Sequence, residues 1–186
     1  MSQPALRRAT YQDVLNAPEH QVAELIDGQL HLQSRPGARH ARSATRIVGQ
    51  VDGPFDRGTS GPGGWIILME PELHLGDDVL VPDLAGWRRS TMPELPDVAH
   101  FTQRPDWVAE VLSPSTQRTD RTLKVPLYRE QGVSQLWLVD PLAQAVEVFR
   151  LHAEGYLLVN SFVGDVPARL EPFDAIEFDM AALWQR

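Results

Sequence analysis

An α/β fold with a mixed sheet flanked by helices, rather than a doubly wound one, is what the order of elements predicts. Three observations carry it. Two segments with helical apolar spacing, at 38–52 and 120–131, stand among short extended runs. Turn residues at Asp27-Gly28, Gly76-Asp77-Asp78 and Glu154-Gly155 join neighbouring runs as hairpins. A helix separates the buried runs at 107–112 and 135–139.

In order, residues 10–15 read as a short helix with Thr10 as N-cap, stopping near Ala17-Pro18 because the residue before proline leaves the α region. Residues 22–33 form a hairpin about Asp27-Gly28. In the helix at 38–52, Ala41, Ala44, Val48 and Val51 share one stripe and Arg39, Arg42 and Arg46 another, and Gly53-Pro54 ends it. A glycine-rich loop, 58–64, precedes antiparallel strands at 65–75 and 79–87. Residues 107–112 suit a central strand, Ser113-Pro114-Ser115 reverses the chain, and the helix at 120–131 closes on Gly132. A buried strand at 135–139 leads through Asp140-Pro141 to a last hairpin, 145–151 with 156–162, and to a tail ending in a short helix. Trp65, Trp107, Trp137 and Trp184 are expected in the core.

With 186 residues, one domain, 1–186, is expected. The absence of cysteine excludes disulfides and thiolate metal sites. Residues 1–10 lack the apolar core of a signal peptide, and no apolar run is long enough to span a membrane, so a cytoplasmic protein with no membrane partner is expected. A net charge of −8 argues against a protein that coats nucleic acid non-specifically, but not against a nuclease whose acids hold a cation.

Of 17 basic residues, 16 are arginine and one, Lys124, is lysine. An ammonium is a compact charge whose pKa burial can shift, which suits it to activating water. Two carboxylates precede it: Asp83 in Val-Pro-Asp-Leu and Glu110 in Val-Ala-Glu-Val-Leu. Acids inside apolar strands cost several kcal/mol unless paired or metal-bound, and oxygen ligands favour Mg²⁺ or Mn²⁺. The Val111 carbonyl is a candidate third ligand. Pairing with arginine is the bland alternative for each acid taken singly. Arg39, Arg42 and Arg46 offer a phosphate-binding stripe, and the same spacing suits a solvated helix face. His31, His74 and His100 show no i, i+4 ligand spacing, which argues against a histidine zinc site.

Pro82-Asp83, then Glu110, then a nearby lysine resembles the PD-(D/E)XK nuclease superfamily. More narrowly, Glu24-Leu25-Ile26-Asp27-Gly28, Val81-Pro82-Asp83-Leu84, Glu110 through Thr116, Asp120 with Lys124 and Tyr128, and Gly132 through Pro141 resemble the bacterial Uma-two family. The resemblance covers about residues 10–150. It implies a restriction-endonuclease-like core and metal-dependent cleavage of phosphodiesters, with DNA the substrate by analogy. It also implies Glu24 as a further acid of the metal site, for which a salt bridge is the alternative, and a homodimer as in relatives that cut both strands. The superfamily's usual lysine position is Leu112 here, which leaves Lys124 as a migrated replacement, with Asp120 its i, i+4 neighbour as cap or partner. Glu70 and Glu72 are weaker candidates. A binding module of the same fold that does not cut is the alternative function. Removing Lys124 is expected to leave the fold intact.

Overall fold

The structure, a computed structural model, describes residues 7–185. The signal-peptide reading of residues 1–6 therefore lies outside the described residues.

Helix α1 (Tyr11–Leu15) opens on Thr10, whose backbone N–H and hydroxyl both donate to Asp13 Oδ2, at 2.8 and 2.9 Å. Strands β1 (Gln21–Ile26) and β2 (Gln29–Ser34) pair through a two-residue turn in which Asp27 and Gly28 take φ of 50° and 70°, the left-handed pair that matches strand twist. Helix α2 (Ala38–Val51) buries Ser43, Ala44, Ile47 and Val51. Ala41, expected on the buried stripe, is exposed, because the apolar face is centred on Ile47.

The two strands expected at 65–75 and 79–87 each break in two. The first becomes β3 (Trp65–Met69) and β4 (Leu73–Leu75), the second β5 (Asp78–Leu80) and β6 (Leu84–Arg88). The hairpin register survives, with Leu73 opposite Leu80 and Met69 opposite Leu84. Pro71 and Pro82 sit at the breaks, where the missing N–H cannot serve a ladder. The chain changes sheets there: β4 and β5 join a four-stranded sheet ordered β2-β1-β5-β4, while β3 and β6 join a six-stranded one.

The six-stranded sheet runs β10-β9-β8-β7-β6-β3, with β7 (Trp107–Val111), β8 (Gln135–Asp140), β9 (Ala145–His152) and β10 (Gly155–Val163). Only β7 and β8 pair in parallel, so the sheet is mixed as expected. Parallel neighbours need a crossover. Here it is α3 (Gln117–Thr119), a turn of π-helix at Asp120–Lys124, and α4 (Val125–Glu130). The tail ends in α5 (Met180–Trp184), with Asp179 capping it by accepting from the Ala182 N–H. No helix of the described residues is long and apolar enough to cross a membrane.

Strand alternation divides the core into two layers. Trp107, Ala109 and Val111 of β7 face α2, α5 and the tail, where Trp107, Trp137, Phe173 and Phe178 interlock edge to face. Such pairs add about 0.5–1.5 kcal/mol each beyond area burial. Val108 and Leu112 face α4 and the smaller sheet. All four tryptophans expected inside are at most 8% exposed. Gly86 of β6 gives the rings of Trp65 and Trp107 their room, since a Cβ there would lie 3.1 Å from Trp107 and 3.3 Å from Trp65.

Gly86→Ala should therefore destabilise the protein by about 1–3 kcal/mol through overpacking, read as a lower urea midpoint with an unchanged slope. An unchanged midpoint would show that the two indoles yield freely.

Candidate active site

The site forms where the two sheets and the crossover helix meet. On β7, Glu110 shares its face with Val108 and Leu112 and so points at the smaller sheet. On β1, Glu24 shares the opposing face with Ile26. Lys124 reaches between them from the crossover. Its Nζ lies 2.7 Å from Glu110 Oε1, 3.0 Å from Glu24 Oε1 and 3.8 Å from Asp120 Oδ1. None of these four residues is more than 3% exposed.

The helix expected at 120–131 begins earlier, at Gln117, so Asp120 is not its N-cap. It is instead the lysine's partner across a widened turn, in which the Val125 N–H bonds back to the Asp120 carbonyl. Pro126, next along, has no N–H for the Thr122 carbonyl and would press its ring against it. The π turn takes up that misfit and brings Asp120 and Lys124 inward together, while Leu123 stays at the surface.

Asp83 stands just outside β6, in the crossing segment after Pro82, rather than within a strand. Its carbonyl accepts from the Glu70 N–H at 3.0 Å, which ties the two crossing segments together. Its Oδ2 accepts from the Val111 N–H at 2.7 Å and lies 3.1 Å from His40 Nε2. Val111 ends β7 and meets Asp83 through its N–H. His40, on α2, is a candidate in sequence only as a neighbour of the arginine stripe; the structure sets it beside Asp83, and its Nδ1 is buried without a partner.

Asp83, Glu110, Asp120, Lys124, His40 and Arg35 line one open cavity of about 270 Å³, closed on one side by Ser113 through Thr116. Glu24 does not line it. Both its oxygens are committed, Oε1 to the Val81 N–H at 2.9 Å and to Lys124, Oε2 to Gln33 at 2.7 Å. Arg39 and Arg42 open instead into a separate hollow beside Leu183 and Trp184, and Arg46 is half-buried. Glu70 is exposed, 3.8 Å from Arg35. Leu112, at the superfamily's lysine position, is packed in the core.

Three carboxylates thus surround one ammonium, and Asp83 lines the same cavity. Burial pushes the Glu110 carboxyl well above its ordinary value; Lys124 opposes this, while Asp120, Asp83 and Glu24 reinforce it. Asp120 is pushed up to about 6, again by burial first, against the pull of Lys124 and Thr116. Burial would lower the lysine, but Glu110, Glu24 and Asp120 outweigh it and hold the ammonium charged, well above its ordinary range. Tyr128, which donates to Glu110 Oε1 at 2.6 Å, is raised by burial and by that acid. Against the expectation that Lys124 is dispensable to the fold stand its three buried acid contacts: Lys124→Met should destabilise the protein by about 3–5 kcal/mol, read from its urea midpoint.

A hard divalent cation suits this donor set: carboxylate oxygens, with more acids than the one lysine. The acids are nonetheless gathered on the ammonium and not on a common centre. Among the described residues, the one group of three or more acid and histidine ligands whose atoms all lie within 4.8 Å of one another is Glu72, His74 and His100.

The raised carboxyl of Asp120 fixes a pH dependence. A proton bound more tightly in the folded state contributes stability that is complete below the ordinary carboxylate value of 3.8 and is lost as pH rises through about 6. Asp120→Asn removes that loss. In EDTA, the stability of the variant relative to wild type should rise by about 2 kcal/mol between pH 4 and pH 8, measured by urea denaturation. A difference that does not change with pH would show that Asp120 titrates in the ordinary range.

The chain matches the Uma2 family, described as "Putative restriction endonuclease", over residues 8–181. Among solved structures it is similar to a putative nuclease belonging to DUF820 from Anabaena variabilis ATCC 29413. The TM-score is 0.75 and the identity 23%, over 94% of this chain and 97% of that one. No curated protein matches. The shared architecture, a mixed sheet with helices and a smaller antiparallel sheet, is that of a nuclease-like fold. Matched along nearly all of its described length, the chain belongs to the Uma2 family of restriction-endonuclease-like proteins.

Proposed function

We propose that this protein is a metal-dependent endonuclease that hydrolyses phosphodiester bonds in DNA. One observation carries the reading: Asp83 and Glu110 open into a single cavity beside a buried lysine, with more acid charge than that lysine neutralises.

In this reading Asp83, Glu110 and the Val111 carbonyl hold Mg²⁺ or Mn²⁺. When bound, such an ion supplies Lewis-acid polarisation of the phosphate and a water of lowered pKa. His40 and the Val111 N–H keep Asp83 aimed into the cavity. Lys124 presents its charge to the attacking water or to the developing phosphate charge. Glu24 and Asp120 act as positioning residues, keeping the ammonium protonated and between the sheets. Arg35, at the cavity wall, is placed to meet a phosphate, and Arg39, Arg42 and Arg46 would follow the strand outside it. A homodimer is the assembly that would let two such sites act on both strands.

The second reading is a module of this fold that binds nucleic acid or protein without cutting. It draws on Leu112, where the superfamily carries lysine, and on the enclosure of Lys124 by three carboxylates.

Two experiments divide these readings. By calorimetry, Asp83→Asn should weaken Mn²⁺ binding at least tenfold, while its melting temperature in EDTA stays level or rises as repulsion falls. A clear loss of stability in EDTA would make Asp83 half of a structural ion pair with His40. In single-turnover cleavage of plasmid DNA with Mn²⁺, Lys124→Met should slow the reaction by about two to four orders of magnitude. Mn²⁺ affinity should be equal or tighter, because the ammonium no longer competes for Glu110. Cleavage at wild-type rate would dismiss Lys124 from the chemistry, and absence of cleavage by wild type across single- and double-stranded substrates would favour the binding module.

A further inference from the structure

Away from the cavity, the fold assembles a cluster of different chemistry. Glu72 and His74 flank Leu73 at the start of β4, and His100 comes from the loop before Phe101. A short parallel bridge joins Leu73 to Phe101. The His74 N–H donates to the Phe101 carbonyl at 2.8 Å and the Phe101 N–H to the Glu72 carbonyl at 2.9 Å. That ladder sets the two imidazoles face to face, with centroids 3.8 Å apart and planes within 14°. Glu72 Oε1 lies 2.7 Å from His74 Nε2 and accepts from the Tyr11 hydroxyl, also at 2.7 Å. The Tyr11 ring stands edge-on to His74, 4.6 Å between centroids. The side chains of Glu72 and His74 are 27% and 19% exposed, so an ion from solvent can reach them.

We propose that Glu72, His74 and His100 form a second metal site, which takes a borderline divalent transition ion such as Zn²⁺. Two imidazole nitrogens and one carboxylate are the donors such an ion prefers, whereas the carboxylate-rich cavity suits Mg²⁺ or Mn²⁺. Their ligand atoms already lie within 4.8 Å of one another. In the metal-free protein His74 Nε2 and Glu72 share a hydrogen bond; when the ion takes that position, the imidazole carries its proton on Nδ1 and leaves Nε2 free to ligate. Tyr11 is the outer donor that holds the carboxylate, and the two imidazoles swing out of their parallel stack to bring their nitrogens onto the ion. Solvent completes the coordination. The site joins three pieces of chain distant in sequence: α1 through Tyr11, β4, and the loop ending at Phe101. The ion therefore acts as a clip rather than a catalyst. The proposal does not depend on the nuclease reading.

The test is calorimetric titration of the whole chain with ZnCl₂ in metal-stripped buffer. Wild type, His74→Gln, His100→Gln, Tyr11→Phe and Asp83→Asn are compared, each checked by its urea midpoint. Wild type should bind about one equivalent, with a rise in melting temperature on saturation. Each histidine variant should lose at least tenfold in affinity and Tyr11→Phe about tenfold, while Asp83→Asn keeps this binding. In wild type, the imidazole NMR signals of His74 and His100 should shift together with added Zn²⁺, a readout that needs no variant. Undiminished binding in both histidine variants, unmoved imidazole signals at saturation, or loss of Zn²⁺ binding in Asp83→Asn would each overturn the proposal.

Discussion

A single ammonium holds three parts of this protein against one another. Glu24 belongs to the smaller sheet, Glu110 to the centre of the larger one, and Asp120 to the helix that crosses between parallel strands. Each buries a carboxylate that its aliphatic neighbours cannot solvate, and each meets the same Nζ. Burying charges is repaid only where geometry is good and the remaining lone pairs are used. Here they are used: Gln33 and the Val81 N–H on Glu24, Tyr128 on Glu110. The packing of the two sheets and the chemistry of the cavity are therefore one arrangement. Between the sheets lies a hydrophobic layer that these polar groups interrupt.

Around that arrangement the backbone departs from regularity in the places that aim the acids. Pro71 and Pro82 end one ladder and start another, and the crossing leaves Asp83 free of any strand while the Val111 N–H and His40 steady its side chain. The π turn departs from the α register where Lys124 must turn inward. Residues that pack on β7 from the other side, Trp107 and Trp137 above all, are regular and fully buried. The sheet is regular and buried where it carries Glu110, and the segments that deliver Asp83 and Lys124 to it are the irregular ones.

Local chemistry made much of this legible in advance. The Asp27-Gly28 turn, the amphipathic α2, the last hairpin and the buried tryptophans follow from short-range rules that the fold obeys. Asp83, Glu110 and Lys124 were readable as a set because acids in apolar surroundings and a solitary lysine are costly or unusual choices, and the structure does bring them into one cavity. What stayed hidden depends on contacts between distant segments. That Glu24 sits behind the lysine, and not at the cavity wall, follows from how two sheets stack. That Arg39 and Arg42 look into a different hollow follows from where α5 docks on α2. His74 and His100 have no periodic relation in sequence and meet only because Leu73 and Phe101 form a bridge.

Having its only lysine buried at 2% exposure gives the folded chain an unusual surface, cationic through guanidinium alone. Reagents that attack side-chain amines find no target unless the two sheets separate or the crossover helix lifts. The extent of acylation at Lys124 is then a clock for opening of the cluster itself, with no background from other side chains. The same burial shields the chain from proteases that cut after lysine for as long as the acids keep their hold.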